Sequence, residues 1–164
     1  MSFKSMVFKK LFQKPWTEIY PKIKRPAPEG FRGKIVVDDN ICRACGTCVR
    51  VCPSNAIELY PEENVFILKI YHEKCIRCGE CISKCPFSAM KFVEEYEFIS
   101  THQSSLMSMA KIPALKCVAC GKLFVSKVEV SDILGKLGKD YEYLSLMCED
   151  CRRQMVAQKI AFKK

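Results

Sequence analysis

The first residues of the chain alternate between hydrophobic side chains and lysines with the spacing of a helix. Along residues 3–14, hydrophobic positions recur on one side and lysines fall mostly on the other: Phe3, Val7, Phe8, Leu11 and Phe12 against Lys4, Lys9, Lys10 and Lys14. This pattern predicts a short basic amphipathic helix. Such a helix could lie at a lipid headgroup boundary, fill a groove on a partner or fold onto its own domain, and we favour an external surface.

The segment that follows supports an external role. Residues 15–30, PWTEIYPKIKRPAPEG, contain four prolines, which predicts an extended arm rather than part of a compact domain. Trp16 and Tyr20 could anchor this arm against a partner or a membrane interface, and shielding of the domain's own core is a nearly equal alternative. We expect residues 1–30 to form a docking arm.

From Gly30 onward, short apolar stretches predict strands. GKIVVDD precedes the first cysteine run, AIELYPEENVFILKIY predicts two strands joined by a polar turn over 61–64, and AMKFVEEYEFI alternates as a further strand would. Residues 100–114 predict a linker that could hold a short helix, and the basic residues after Cys151 predict a terminal helix. The fold class is therefore α+β, with a compact domain over 31–99 and a separate small unit over 115–164.

The composition is that of a globular protein with an unusual number of cysteines. Hydrophobic residues make up 49% and charged residues 27% of the 164, which suits one or two small domains. No uncharged apolar stretch reaches the length of about 18 residues that a bilayer span needs. The lysine-interrupted start also lacks the cleavage site of a secretory signal. The twelve cysteines therefore point to metal ligands rather than to structural disulfides.

Eight of these cysteines form an internal repeat. CRACGTCVRVCP over 42–53 and CIRCGECISKCP over 75–86 share the form Cys-x-x-Cys-x-x-Cys-x-x-x-Cys-Pro and align at an offset of 33 residues. This spacing is typical of bacterial 4Fe-4S ferredoxins, in which the fourth cysteine of each run ligates the other cluster. The predicted ligands are therefore crossed: Cys42, Cys45, Cys48 and Cys85 for cluster 1, and Cys52, Cys75, Cys78 and Cys81 for cluster 2.

Two such clusters predict electron transfer. Because thiolates of the protein fill every ligand position, no iron is open to a substrate, and the clusters would pass single electrons rather than activate molecules. Clusters that act only as folding staples are a weaker alternative, since one metal site per domain would suffice for that. Cations near the runs could offset the anionic cores and bear on their reduction potentials, or be ordinary surface charges: Arg43, Arg50, Lys74, Arg77 and Lys84.

The last four cysteines have the spacing of a single-ion site. Cys117-Val-Ala-Cys120 and Cys148-Glu-Asp-Cys151 are separated by a segment long enough for a hairpin and a turn of helix. Closed sites of four thiolates usually hold structural zinc, which we expect here. A single rubredoxin-type iron would use the same ligands and stays open as an alternative. With zinc, this zinc-ribbon-like unit would be redox-silent and would fold a docking surface.

The basic charge does not by itself indicate a nucleic-acid partner. The formal charge of +9 counts every cysteine as neutral, and it falls once thiolates ligate metal. The aromatic and basic residues of the C-terminal unit are too scattered to favour a module that binds DNA or RNA. We expect no nucleic acid among the partners.

Taken together, these motifs resemble the two-cluster ferredoxin subunit that respiratory complex I and membrane-bound NiFe-hydrogenases share. The similarity runs from LFQKPWTEIYP through FRGKIVV to the end of the second cysteine run. The added CVAC and CEDC pairs make the chain more similar to the hydrogenase-side members, in particular the formate hydrogenlyase subunit 6 type. The resemblance covers nearly the whole chain and implies a bacterial two-cluster ferredoxin-like fold with an appended metal knuckle.

The resemblance also implies a non-catalytic electron-transfer subunit, peripheral on the cytoplasmic side of the cell membrane. Electrons would pass from an electron-input subunit toward the cluster-bearing small subunit beside a NiFe-hydrogenase-type site. The alternative is the equivalent place in a complex I-like assembly that reduces quinone or another acceptor. A free-standing ferredoxin is a weaker alternative, because such carriers have little use for the basic helix, the proline-rich arm and the extra knuckle. The sequence offers no hydrogenase nickel ligands of its own and no nucleotide-binding glycine fingerprint, so catalysis would belong to other subunits.

Overall fold

A computed structural model describes residues 3–14, 17, 20, 22–95, 106–137 and 142–161. Its elements in chain order are α1 (Phe3–Leu11), β1 (Lys34–Val37), α2 (Thr47–Arg50), β2 (Ile57–Glu62), β3 (Val65–Tyr71), α3 (Glu80–Ser83), β4 (Met90–Val93), β5 (Met107–Lys116), β6 (Leu123–Ser126), α4 (Lys127–Leu137), α5 (Glu142–Ser145) and α6 (Glu149–Ala161). No helix within these ranges combines the length and the apolar character that crossing a membrane requires.

The predicted N-terminal helix is present as α1 and leaves its apolar side uncovered. None of its residues is buried, and Phe3 and Leu11 are 80% and 73% exposed. The rings of Phe8 and Phe12 pack against each other with their centroids 5.3 Å apart. The helix therefore does not fold onto the described part of its own domain. Trp16 lies outside the described residues.

The strands form two antiparallel sheets. β1 pairs with β4, so the two ends of the cysteine-rich segment meet. The second sheet has the order β2-β3-β5-β6. The strands predicted from GKIVVDD, from the two halves of AIELYPEENVFILKIY and from the start of AMKFVEEYEFI are thus confirmed.

The hairpin of β2 and β3 is tighter than the predicted turn over 61–64. Pro61 pairs with Phe66 and Glu62 pairs with Val65, which leaves Glu63 and Asn64 as the turn. Glu63 takes the left-handed conformation with φ 46°. Pro61 can stay in the ladder because β2 is an edge strand, where a residue without an N–H group is tolerated.

Residues 107–114 were expected in a linker, and that expectation is wrong. They belong to β5, which pairs with β3 from Val65↔Pro113 to Tyr71↔Met107 and with β6 on its other side. The strand forms because Ala110 and Ile112 alternate with exposed residues and are fully buried. The C-terminal unit therefore shares a sheet with the cysteine-rich domain.

The core consists of sheet residues packed around cysteines. Ile35, Leu68, Ile70 and Ile112 are at most 2% exposed, and Cys42, Cys48 and Cys81 belong to the same cluster of buried side chains. Three of the eight predicted cluster ligands are therefore buried in the core, whereas Cys45 is exposed and the other four are partly buried.

The segment between the C-terminal cysteine pairs is more helical than predicted. A turn of helix was expected, whereas α4 runs over eleven residues after β6 and is followed by α5. Ser126, which is fully buried, starts this helix by accepting a hydrogen bond from the Glu129 N–H at 3.2 Å. The predicted terminal helix is confirmed as α6.

Candidate metal centres

The two cysteine runs adopt the same backbone, as an internal repeat requires. Gly46 and Gly79 have φ of 73° and 84°, and α2 and α3 begin directly after them. Ala44 and Arg77 are equivalent in the repeat and have φ of 53° and 56°. Left-handed conformations cost energy for residues with a side chain and tend to mark functional loops. The two cysteine runs therefore form equivalent loops.

One cavity gathers three cysteines of the first run and one of the second. Cys42 follows β1, Cys48 lies in α2, and Cys85 lies shortly after the end of α3. Together with Cys45 they line one small cavity, with Val37, Leu68, Ala89 and Met90 among the apolar wall residues. The four cysteines brought together here are the four predicted for cluster 1.

A second cavity has the reverse composition. Cys52 comes from the first run, and Cys75, Cys78 and Cys81 come from the second. Ile35 and Ile57 line this cavity on the apolar side. Each cavity is lined by four cysteine sulfurs, which is the number of ligands that a 4Fe-4S core takes.

Burial opposes the ionisation of several of these thiols. It raises the pKa of Cys48 to about 12 and the pKa of Cys81 to about 11, and it also raises the pKa of Cys42. Neighbouring cysteines add to each shift because thiolates repel one another. A cationic core would reverse this balance by stabilising the thiolates. Without a cation in the cavities, these thiols therefore stay protonated and neutral at pH 7.

The fourth cysteine of each run accepts a backbone hydrogen bond at the same place in the repeat. The Ala56 N–H donates to Cys52 Sγ at 3.3 Å, and the Ala89 N–H donates to Cys85 Sγ at 3.4 Å. Although burial acts in the opposite direction, the bonds from Ala56 and Ser54 hold the pKa of Cys52 below its ordinary value. Hydrogen bonds to ligand sulfurs are among the factors that set cluster reduction potentials.

The four C-terminal cysteines converge on a much smaller space. The Sγ atoms of Cys117, Cys120, Cys148 and Cys151 all lie within 4.8 Å of one another. Cys120 Sγ and Cys148 Sγ are 3.7 Å apart. A tetrahedral ion with metal–sulfur bonds of about 2.3 Å would place its sulfurs about 3.8 Å apart. This geometry fits one metal ion, and all twelve cysteines are outside disulfides.

The fold prepares this site through three elements. Cys117 follows β5, Cys120 precedes Gly121 in a tight turn, and Cys148 and Cys151 stand at the start of α6. The Cys148 N–H donates to Cys117 Sγ at 3.3 Å. This hydrogen bond is the main reason why the pKa of Cys117 falls to about 6. The hydrogen bond thus favours the thiolate form of Cys117, which is the form that binds a cation.

His72 lies near the second run and is held by its neighbours in the sheet. Its Nε2 is 2.7 Å from the Oγ of Ser108 on β5. Burial lowers the pKa of His72, and the positive charges of Lys34 and Arg77 lower it further. The histidine is therefore neutral at pH 7 and tied to the sheet. The other histidine, His102, lies outside the described residues.

Two arginines in or beside the cysteine loops make contacts that no local sequence pattern predicts. The Arg32 guanidinium donates to the carbonyl oxygen of Cys78 at 3.2 Å. The sequence marked Arg43 as a charge near cluster 1, but its partners on α4, Glu129 and Asp132, are distant along the chain. Pairings of this kind depend on tertiary structure, which periodicity and spacing do not reveal.

The comparisons with known proteins agree with this geometry. Residues 41–89 match the family model of the 4Fe-4S dicluster domain. NADH-quinone oxidoreductase subunit I of Carboxydothermus hydrogenoformans is 36% identical over 55 residues, which is 34% of this chain and 39% of that protein. F(420)H(2) dehydrogenase subunit I of Methanosarcina mazei is 37% identical over 43 residues, which is 26% of this chain and 24% of that protein.

One solved structure is also similar. It is a chain of the membrane-bound sulfane sulfur reductase, an archaeal respiratory membrane complex, with 30% identity and a TM-score of 0.48. The match covers 62% of this chain and 56% of that chain.

The cavities and the family match define residues 41–89 as a 4Fe-4S dicluster domain. It is related by sequence to subunit I of complex I-like oxidoreductases. The matched segments span less than two fifths of each of these curated relatives.

Proposed function

We propose that the chain is an electron-transfer subunit of a membrane-associated oxidoreductase complex and relays single electrons through two 4Fe-4S clusters. The observation that carries this proposal is the pair of cavities, each lined by four cysteines of which one comes from the other run. Such crossed ligation matches the two-cluster ferredoxin pattern. It also joins the two halves of the domain, so both clusters would be held in one compact core.

The chain's residues would hold the two clusters as follows. Cluster 1 would bind Cys42, Cys45, Cys48 and Cys85, and cluster 2 would bind Cys52, Cys75, Cys78 and Cys81. When bound, each core supplies a one-electron redox couple. The surrounding residues exclude water, bond to the ligand sulfurs and set the local charge, which together tune the potential.

The assembly around this subunit is proposed from the relatives and from the exposed helix. Subunit I of NADH-quinone oxidoreductase and of F(420)H(2) dehydrogenase are named as subunits of larger enzymes. The uncovered apolar side of α1 favours docking on neighbouring subunits or on the membrane surface. We place the subunit peripherally on the cytoplasmic side, where it delivers electrons toward a small subunit beside a NiFe-hydrogenase-type site.

The equivalent subunit of a complex I-like assembly is the second candidate function. The sequence relatives named above favour it, since both are subunit I proteins. The cysteine pairs of the C-terminal unit favour the hydrogenase side. For that unit we propose one Zn²⁺ at Cys117, Cys120, Cys148 and Cys151, with a single iron as the alternative, and a role in docking rather than in electron transfer.

Anaerobic isolation from the native host tests these proposals together. We expect about eight iron atoms and one zinc per chain, with the chain recovered in a multisubunit membrane complex. About nine iron atoms without zinc would assign the C-terminal site to iron. A nickel subunit in the complex would support the hydrogenase branch, whereas a quinone-reducing complex without nickel would support the other. Recovery of the chain alone as a soluble carrier would contradict the proposed function.

A further inference from the structure

Arg43 ties the loop of the first cysteine run to helix α4. It follows Cys42 directly, and it lines the same cavity as the four cysteines predicted for cluster 1. Its guanidinium donates to Glu129 at 3.2 Å and to Asp132, both on α4. Its Nε is buried and has no hydrogen-bond partner among the described residues. The cation next to this cavity is therefore paired with two carboxylates from the C-terminal unit.

The arginine is also fixed from its other side. Its guanidinium carbon lies 4.5 Å from the centroid of the Phe87 ring, and Phe87 lines the same cavity. The side chain of Arg43 is only 19% exposed, whereas those of Glu129 and Asp132 are 34% and 42% exposed. Stacking and pairing together restrict the guanidinium to one position. Its charge then acts on the cavity from a constant distance.

At the position equivalent to Arg43, the second run has an apolar residue. The repeat places Ile76 at the position of Arg43, and Ile76 is 65% exposed. Arg77 of the second run stands instead where the first has Ala44. The two halves thus share one backbone but differ in the charges around it. The contact between Arg43 and α4 distinguishes the first cavity from the second.

We propose that Glu129 and Asp132 are positioning residues that partly neutralise Arg43 and thereby hold the reduction potential of cluster 1 lower than Arg43 alone would set it. The inference rests on the proposed function, because it requires both clusters. Reduction adds one negative charge to a core. A nearby cation stabilises the reduced core and nearby carboxylates destabilise it, with solvent weakening the effect of exposed groups.

The C-terminal unit would thus influence the equilibrium for electron exchange between the two clusters. α4 begins at buried Ser126 at the end of β6, and β6 pairs with β5, which leads into the cysteine knuckle. The position of the two carboxylates thus depends on the fold of that unit. The effect would come from the carboxylates of α4, and the metal site itself would stay redox-silent.

The test is a potentiometric titration of the purified holo-complex, followed by electron paramagnetic resonance. In the double variant Glu129→Gln/Asp132→Asn we expect the reduction potential of cluster 1 to rise and that of cluster 2 to move less. The equilibrium for electron exchange between the clusters should shift by about tenfold, or about 59 mV for a one-electron couple. Arg43→Gln should lower the same potential, and Arg43→Lys should restore part of the loss because the charge is kept. Glu142→Gln removes an exposed carboxylate from α5 and is the matched charge control.

Unchanged potentials in the double variant, with wild-type iron content, would overturn the inference and leave the proposed function intact. The inference would also fall if Glu142→Gln shifted the same potential equally. Should the double variant lose iron, the single variants Glu129→Gln and Asp132→Asn decide the matter, since each leaves Arg43 one carboxylate. Absence of reducible clusters from the wild-type complex would instead contradict the proposed function.

Discussion

Cys85 belongs to the second cysteine run but lines the same cavity as Cys45 of the first. The reverse holds for Cys52, which lines the cavity of Cys78. The chain reaches this arrangement because α2 and α3 each end shortly before the fourth cysteine of their run. The fourth cysteine then points across to the other half of the domain. The crossing makes each half depend on the other for a complete set of ligands.

The crossing predicts which single variants resemble one another. Cys85→Ala should perturb the same paramagnetic signal as Cys45→Ala, and Cys52→Ala should perturb the same signal as Cys78→Ala. Each variant removes one of four ligands, so we expect it to convert or lose one cluster and to impair electron delivery to the acceptor. Low-temperature paramagnetic resonance of the reduced proteins measures this. A Cys85→Ala spectrum that matches Cys78→Ala would contradict the assignment.

Loss of a C-terminal ligand should have a different effect. Cys120→Ser should remove the single metal ion while iron stays near the wild-type amount, since the site lies apart from both cavities. We expect less subunit to be incorporated into the complex, with nearly normal electron transfer in the fraction that assembles. Val118→Ser is the control, because Val118 lies in the same turn and is 53% exposed. Metal analysis and recovery of intact complex report both effects. Loss of half the iron in Cys120→Ser would show that the sites are not independent.

The exposed helix α1 should contribute to docking but not to stability. Phe8 is 69% exposed, so Phe8→Glu removes no buried contact and should leave the unfolding temperature unchanged. The same change should weaken association with the complex or with membrane vesicles, because it places a charge on the apolar side. Lys10→Gln changes the net charge by the same amount on the opposite side of the helix and should have a smaller effect. Co-sedimentation and thermal unfolding separate the two roles. A lower unfolding temperature for Phe8→Glu would mean that α1 packs on its own domain.

Gly33 should be the least replaceable of the glycines that the structure describes. A Cβ there would lie 2.1 Å from the carbonyl oxygen of Val93 and 2.7 Å from that of Glu95, so the start of β1 would have to move from the end of β4. We expect Gly33→Ala to cost about 1–3 kcal/mol of the free energy of unfolding. Gly135→Ala is the matched control, since no atom lies within 4 Å of its added Cβ. That change in α4 should stabilise by roughly 1 kcal/mol. Denaturant unfolding of the anaerobic holo-protein measures both, and equal stability of the two variants would contradict the close approach.

Local sequence patterns predict which cysteines lie together and which elements form up to β4. The spacing of the two runs groups the cysteines as the cavities do, because each set depends on short loops and one crossing. Strands β1 to β4 and helix α1 follow from apolar periodicity. β5 escapes detection because its inward positions include small Ala110, and Pro113 near its end suggests a break. That strand pairs with β3 only in the folded sheet, so its identity depends on a distant partner.

The charges around cluster 1 could not be predicted from the sequence. Nothing local relates Arg43 to Glu129, and the link exists because α4 is longer than the single turn expected and packs beside the first run. Sequence position shows that a cation stands near the ligands. Only the tertiary structure shows that two carboxylates partly neutralise it.

The most direct test of the central claim is an anaerobic reductive titration of the purified protein, with iron analysis on the same sample. The claim is that two crossed sets of four cysteines hold two one-electron centres. It predicts about eight iron atoms and two paramagnetic centres per chain after reduction, with one centre lost or converted in Cys45→Ala. A protein that retains its C-terminal metal ion but takes up no electrons would contradict the claim.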